Sequence, residues 1–265
     1  MVKSGAGEDV TVSSSAIELL LLLRGSGTEG LGRAEQVTYM LETAIAMGIL
    51  GEGERLPRES VLASELGISS ITLRQSLATL RMKGAISTSR GRSGGSVILS
   101  PPEPSDDEVR RKLRVTSTED LRDLGDHCSA IAAASAKLAA ERADDQNIQY
   151  LAALAEQFSS SSTAQERRRA DTRFHVTIGV AAQSSRLTAA MLQIQAELSV
   201  FMWFGEEDEL LVPEASRQHA GILEGIAARD PAAAAAAAES HSDSEIERII
   251  KQHLQLLMRS EGEGA

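Results

Sequence analysis

Apolar positions recur at helical spacing through most of the chain, and the exceptions mark where it turns. Over 34–47, Val37, Met40, Leu41, Ala44 and Ile45 fall on one face and Gly48 supplies a stop, which predicts a helix. A second helix is predicted after Leu56 and Pro57, with Val61, Leu62 and Leu66 as its apolar stripe and Gly67 at its end. A third starts at Ser69 or Ser70, whose hydroxyls suit an N-cap, and carries Leu73, Leu77 and Leu80 as far as Gly84. Residues 85–88 and 96–99 then read as two short strands around a basic, glycine-rich tip.

The acidic, Pro-rich stretch 100–107 cannot continue a helix and carries little to bury, so a domain boundary is expected there. From 108 to about 258 nearly every segment has helical periodicity, broken near Asp144, 159–162, Ser184, 205–213 and 230–231, which predicts six or so helices. Asp230 can cap a helix and Pro231 can occupy its first turn, so the seven alanines that follow predict a buried small-residue packing seam. At the other end, 1–15 and 25–32 are rich in glycine and serine. The apolar run 17–23 between them can dock on the protein body or a partner subunit, or stay a partly ordered arm. The expected organisation is a flexible N-terminal arm over 1–31, a three-helix domain with a hairpin over 32–99, a linker over 100–107 and a helical domain over 108–260.

Composition supports a mainly α protein: aromatic residues are 3% of the 265, and alanine- and leucine-rich stretches favour helices packed through aliphatic ridges. The net charge of −11 argues against a nucleic-acid partner until it is resolved along the chain. Residues 1–29 carry 2 basic and 4 acidic groups, 30–100 carry 8 and 6, and 101–265 carry 17 and 28, so only the middle block is basic. Cys128 is the one cysteine, which rules out an intrachain disulfide and points to a reducing, cytoplasmic setting. The leucine run 19–23 is far too short to span a bilayer, and neither a membrane nor a targeting segment is expected.

Two short helices joined at Gly67, followed by a hairpin, make a winged helix-turn-helix, in which the second helix of the pair enters the major groove. From Ser69 to Arg92 there are five basic residues, Arg74, Arg81, Lys83, Arg90 and Arg92, and no acid. Ser69, Ser70, Thr72 and Arg74 lie in the first turns, where side chains reach base edges or adjacent phosphates; Arg81 and Lys83 suit backbone contacts or solvent. Arg90 or Arg92, on a tip that includes Gly94, would enter the minor groove or follow a phosphate strand. The plainer alternative is a charged, solvated helix beside a loop.

The order of residues through this block resembles the GntR family of bacterial regulators. It runs Gly48-Ile49-Leu50, Gly53-Glu54-Arg55-Leu56-Pro57-Arg58-Glu59, Leu62-Ala63, Leu66-Gly67-Ile68-Ser69, Thr72-Leu73-Arg74, Leu77, Leu80, Gly84 and the glycine wing, about seventy residues in all. The resemblance implies operator-DNA binding. Family members usually carry Arg where Ser60 and Ser70 stand, so Arg58 is the expected partial substitute, and the operator read here differs accordingly.

Asp171 and His175 are four apart and share a helix face, while His219 and His241 lie on two later helices, so the four can converge on one ion or simply pack and face solvent. Here the chain resembles the FCD ligand-sensing domain of the FadR branch of GntR regulators, an all-helical bundle. Asp171-Thr172-Arg173-Phe174-His175 matches its Asp-x3-His motif, and Gln218-His219, Ala227-Ala228-Arg229-Asp230 and His241 match its later metal positions. The resemblance implies a divalent transition metal, Zn²⁺ or Ni²⁺, held by Asp171, His175, His219 and His241, with coordination left for water or an effector carboxylate.

The family's usual effector-pairing Arg falls near Cys128 and its usual Glu near Ala132. An organic-acid effector would then lean on Arg122 or Arg173, which otherwise read as solvent-facing or ion-paired. Cys128 reads as a buried small residue. The mechanism implied is a homodimer that presents two winged domains to a palindromic operator, acts as a repressor, and is shifted by an effector bound near the metal. An Asp with three His also suits a metal-dependent hydrolase, yet no HExxH motif, phosphate loop or nucleophile elbow accompanies them. A purely helical interaction module would leave the acid-free basic stretch and the glycine wing without a reason.

Overall fold

The computed structural model describes residues 11–24, 30–89, 95–99, 104–204 and 210–262, and the chain divides into two compact units between residues 102 and 103. The first holds α1 (Ser14–Leu22), α2 (Arg33–Ala46), α3 (Glu59–Glu65), α4 (Ser70–Met82), β1 (Ile86–Ser89) and β2 (Gly95–Ile98).

Within the expected N-terminal arm, residues 11–24 take the docked alternative as a strand-like bridge and a helix. Val12 N donates to Arg55 O at 3.0 Å, and the Ser13 hydroxyl caps α1 by accepting from Ala16 N. Ala16, Ile17, Leu20 and Leu23 are buried because they fall on one helical face. In α2 the expected face, Val37, Met40, Leu41, Ala44 and Ile45, is buried. In α3 the stripe is Leu62, Ala63 and Leu66; Val61 is 46% exposed, since a helix turns it about 100° from Leu62. Gly67, at φ +61°, makes the turn into α4, a backbone conformation that side chains with a Cβ resist. β1 and β2 pair antiparallel with Ile86 opposite Ile98, and both are buried.

The second unit is helical: α5 (Asp106–Val115), α6 (Thr118–Arg142), α7 (Asp145–Ser160), α8 (Ala164–Ala181), α9 (Ser185–Leu198), α10 (Val212–Ala227) and α11 (Pro231–Gly262). Side-chain caps set the starts: Ser105, Ser117, Asp144, Thr163 and Ser184 each accept from a backbone N–H in the following turn. The break at Ser117, which splits α5 from α6, was not among those expected. After α9 the chain plugs the core with Phe201, Met202, Trp203 and Phe204, all buried, and Arg168 donates from Nε to the Met202 carbonyl at 3.0 Å.

The alanine run is a seam over part of its surface only. Ala234 and Ala238 are buried, whereas Ala232, Ala233 and Ala236 face solvent. The seam works with Gly225 of α10, where an added Cβ would lie 2.7 Å from Ala234 N and 2.8 Å from Ala234 Cα. Gly225→Ala is therefore expected to destabilise the protein by about 1–3 kcal/mol through backbone displacement, measured by urea unfolding. A neutral or stabilising effect would show that α10 and α11 can separate at no cost.

Candidate metal centre and DNA-facing helix

Four side chains from three helices meet inside the second unit. Asp171 and His175 project from one face of α8, His219 from α10 and His241 from α11, and one donor atom from each lies within 4.8 Å of all the others. All four are buried, at 0–3% exposure. His241 Nε2 is 3.2 Å from His175 Nε2, and His219 Nε2 is 3.2 Å from Asp171 Oδ1. That last pair is misaligned for a hydrogen bond, so Asp171 Oδ1 and both ring nitrogens of His219 are buried without one. Donors about 2.1 Å from a shared ion in a tetrahedral set lie about 3.4 Å apart, so the closest pairs and the orphaned atoms both fit a transition metal once the wider pairs draw in.

The surroundings hold these rings in place. His219 lies against Phe158 and Phe174, with ring centroids 4.6 and 4.5 Å away, and Trp203 packs edge-on to Phe158. His241 Nδ1 is 2.8 Å from Gln218 Oε1, which as an acceptor fixes the proton on Nδ1 and turns the Nε2 lone pair inward. Burial opposes charge on Asp171, yet the contact with His219 and the imidazoles around it hold the carboxyl down to about 2. Burial pushes His175 down to about 4 and His241 well below the usual imidazole range. A carboxylate with neutral imidazoles is the state in which such ligands take up a metal.

Glu245 was missed by the sequence reading. It is buried one turn beyond His241, with Oε1 3.4 Å from His241 Nε2, and burial together with Asp171 pushes its pKa well above the usual carboxylate range. Its signal was the same four-residue spacing that joins Asp171 to His175. Cys128 is buried as expected, and burial with Glu245 nearby pushes its thiol up to about 12. Arg122 is exposed, and Arg173 is paired with the Tyr150 hydroxyl and ring.

In the first unit, Arg58, Ser69, Ser70 and Arg74 are exposed and Thr72 is half-buried. Ser69 caps α4, accepting from Thr72 N at 3.1 Å and lying 2.9 Å from the Thr72 hydroxyl. Acids from other helices meet the basic stretch: Glu59 lies 3.4 Å from Arg74 Nε, and Glu42 lies 2.7 Å from Lys83 Nζ. Ile71, in the first turn of α4, is 68% exposed, a large apolar side chain that the sequence reading passed over. Arg90, Arg92 and Gly94 lie outside the described residues. Among the described residues no helix is long and apolar enough to cross a membrane.

Residues 33–95 match the model of the bacterial regulatory proteins of the gntR family, and residues 123–244 match that of the FCD domain. The chain is 36% identical to RmpR of Mycobacterium gastri, which is named as an HTH-type transcriptional regulator, over 84% of this chain and 82% of that protein. It is 28% identical to the Glc operon transcriptional activator of Escherichia coli K12, over 83% and 88% of the two chains. A crystal structure of a GntR regulator from Rhodococcus sp. RHA1 shares the fold, with a TM-score of 0.50 at 17% identity, covering 83% of this chain and 98% of that one. These relatives are regulators of transcription, and the metal-dependent hydrolase finds no support among them.

Proposed function

Since the chain belongs to the gntR family of bacterial regulatory proteins and carries an FCD domain, we propose that it is a cytoplasmic, metal-dependent repressor whose grip on operator DNA is set by a small-molecule effector. The observation that carries the metal dependence is the buried set of four donors with orphaned atoms at its centre. Asp171, His175, His219 and His241 would hold the ion, Zn²⁺ or Ni²⁺. When bound, the ion supplies a Lewis-acidic point that orients an oxygen-bearing ligand.

The chain's own residues do the rest. Phe158 and Phe174 keep His219 in register, Gln218 sets the tautomer of His241, and the plug at 201–204 helps to keep water from the core. On the DNA side α4 is the reading helix: Arg74 and Thr72 face base edges and phosphates, Ile71 offers an apolar surface to a thymine methyl, and Ser70 and Arg58 lie beside them. Ser69 is committed to the cap and positions the helix. The wing residues Arg90, Arg92 and Gly94 would contact the minor groove or phosphates. A homodimer would place two such helices on a palindromic site.

The test is selection of a binding sequence from random duplex DNA, followed by gel-shift titration with and without Zn²⁺ and chelator. A selected palindrome whose affinity changes on metal removal and falls with salt supports the reading. No selected sequence, or binding indifferent to metal, overturns it. The Glc operon relative is named an activator, so a promoter–reporter assay decides the sign of regulation.

A further inference from the structure

The reading above uses four donors, and the cluster holds a fifth group. Glu245 is 6% exposed, and its Oε1 has no hydrogen-bond partner although it lies 3.4 Å from His241 Nε2. Its distance to His241 falls within the 3.2 to 3.8 Å that separates neighbouring donors among the other four, and Glu245 borders the set through His241, outside the group whose atoms all lie within 4.8 Å of one another. Arg248, one turn further along α11, lies 2.9 Å from Met202 Sδ and 5.5 Å from the Trp203 ring and also favours a charged Glu245 electrostatically.

We propose that Glu245 is a fifth donor to the metal, and that it fills the position an incoming carboxylate would otherwise take. This deepens the metal-site reading and rests on it. Charge supports it: buried carboxylates persist when paired or coordinated. Two of them, with three neutral imidazoles, balance a dication, whereas four donors alone leave one positive charge beside an uncoordinated acid. An organic-acid effector then has to displace Glu245 from the ion. Release of that side chain would be felt first on α11, which also fastens α5 and α6 through His253, 3.0 Å from the Leu113 carbonyl and 3.1 Å from the Thr118 hydroxyl.

The test uses Co²⁺ as the probe on the tag-free full chain. Affinity is read by competition with a chelating dye, and coordination by the visible d–d spectrum. Glu245→Ala is expected to bind Co²⁺ at least ~10-fold more weakly, and millimolar acetate should restore its affinity and shift its spectrum while the unaltered protein's spectrum stays unchanged. Glu245→Gln, which keeps the shape of the side chain, should show the same loss without acetate rescue. Equal affinities, or a loss in Glu245→Ala that acetate does not restore, overturn the fifth donor while the four-donor site stands. Failure of the unaltered protein to bind Co²⁺ overturns both.

Discussion

Arg74→Ala is expected to abolish specific operator binding in a gel-shift titration while leaving metal uptake and helical content unchanged. The side chain stands on the second turn of α4, 66% exposed, and it pairs with the half-exposed Glu59. Exposed pairs of this kind contribute about 0–1 kcal/mol, so Glu59 holds Arg74 in place without withholding it from DNA. A base-reading arginine contributes about 1–3 kcal/mol. Counted once in each half-site of a palindrome, the loss is about 2–6 kcal/mol, or roughly 30- to 20,000-fold in affinity. Lys83→Ala is the control: its ammonium is engaged by Glu42 of α2 at 2.7 Å, so the same titration should move by a far smaller factor. Equal effects of the two substitutions would mean that α4 contributes charge and does not read sequence.

Removing the metal is expected to have the larger effect on stability. An ion present at about a thousand times its dissociation constant stabilises the folded state by about 4 kcal/mol. At about 2–4 °C per kcal/mol for a protein of this size, chelation should lower Tm by roughly 8–16 °C. His219→Ala should erase that difference. His219 is wholly buried between two aromatic rings, so the variant also loses packing; the diagnostic quantity is the response of Tm to added Zn²⁺, not Tm itself. A variant that still gains the full increment would place the ion elsewhere.

How much of this was legible in the sequence depended on whether a feature is local. Helix starts at Ser69, Asp144 and Ser184 were readable because a cap and its N–H donor are three residues apart. Asp171 and His175 declared themselves by helical spacing, while their convergence with His219 and His241 rested on resemblance, because no linear pattern says how α8, α10 and α11 face one another. The same blindness hid the ion pairs of Arg74 and Lys83: a stretch without acids in sequence met acids across helices. Helix α1 was legible as an apolar run over 17–23, but glycine- and serine-rich flanks obscured its start at the Ser13 cap and left its docking open. Glu245 was missed for another reason. A lone buried acid has no expected partner until its neighbours are known.

The alanines of α11 carry one more consequence, which is genetic. Between Asp230, which caps the helix, and His241, which points into the donor set, lie Pro231, seven alanines, Glu239 and Ser240, and of the alanines Ala234 and Ala238 are the buried pair. Gain of one alanine, as in slippage of repetitive coding DNA, would rotate everything beyond it by about 100° relative to the seam on α10. The protein would keep its composition and its helix, and His241 would face away from Asp171. Gain of seven would fall only about 20° short of two full turns. The tract is thus a phase marker, and its tolerated lengths should be quantised by the helical repeat rather than graded.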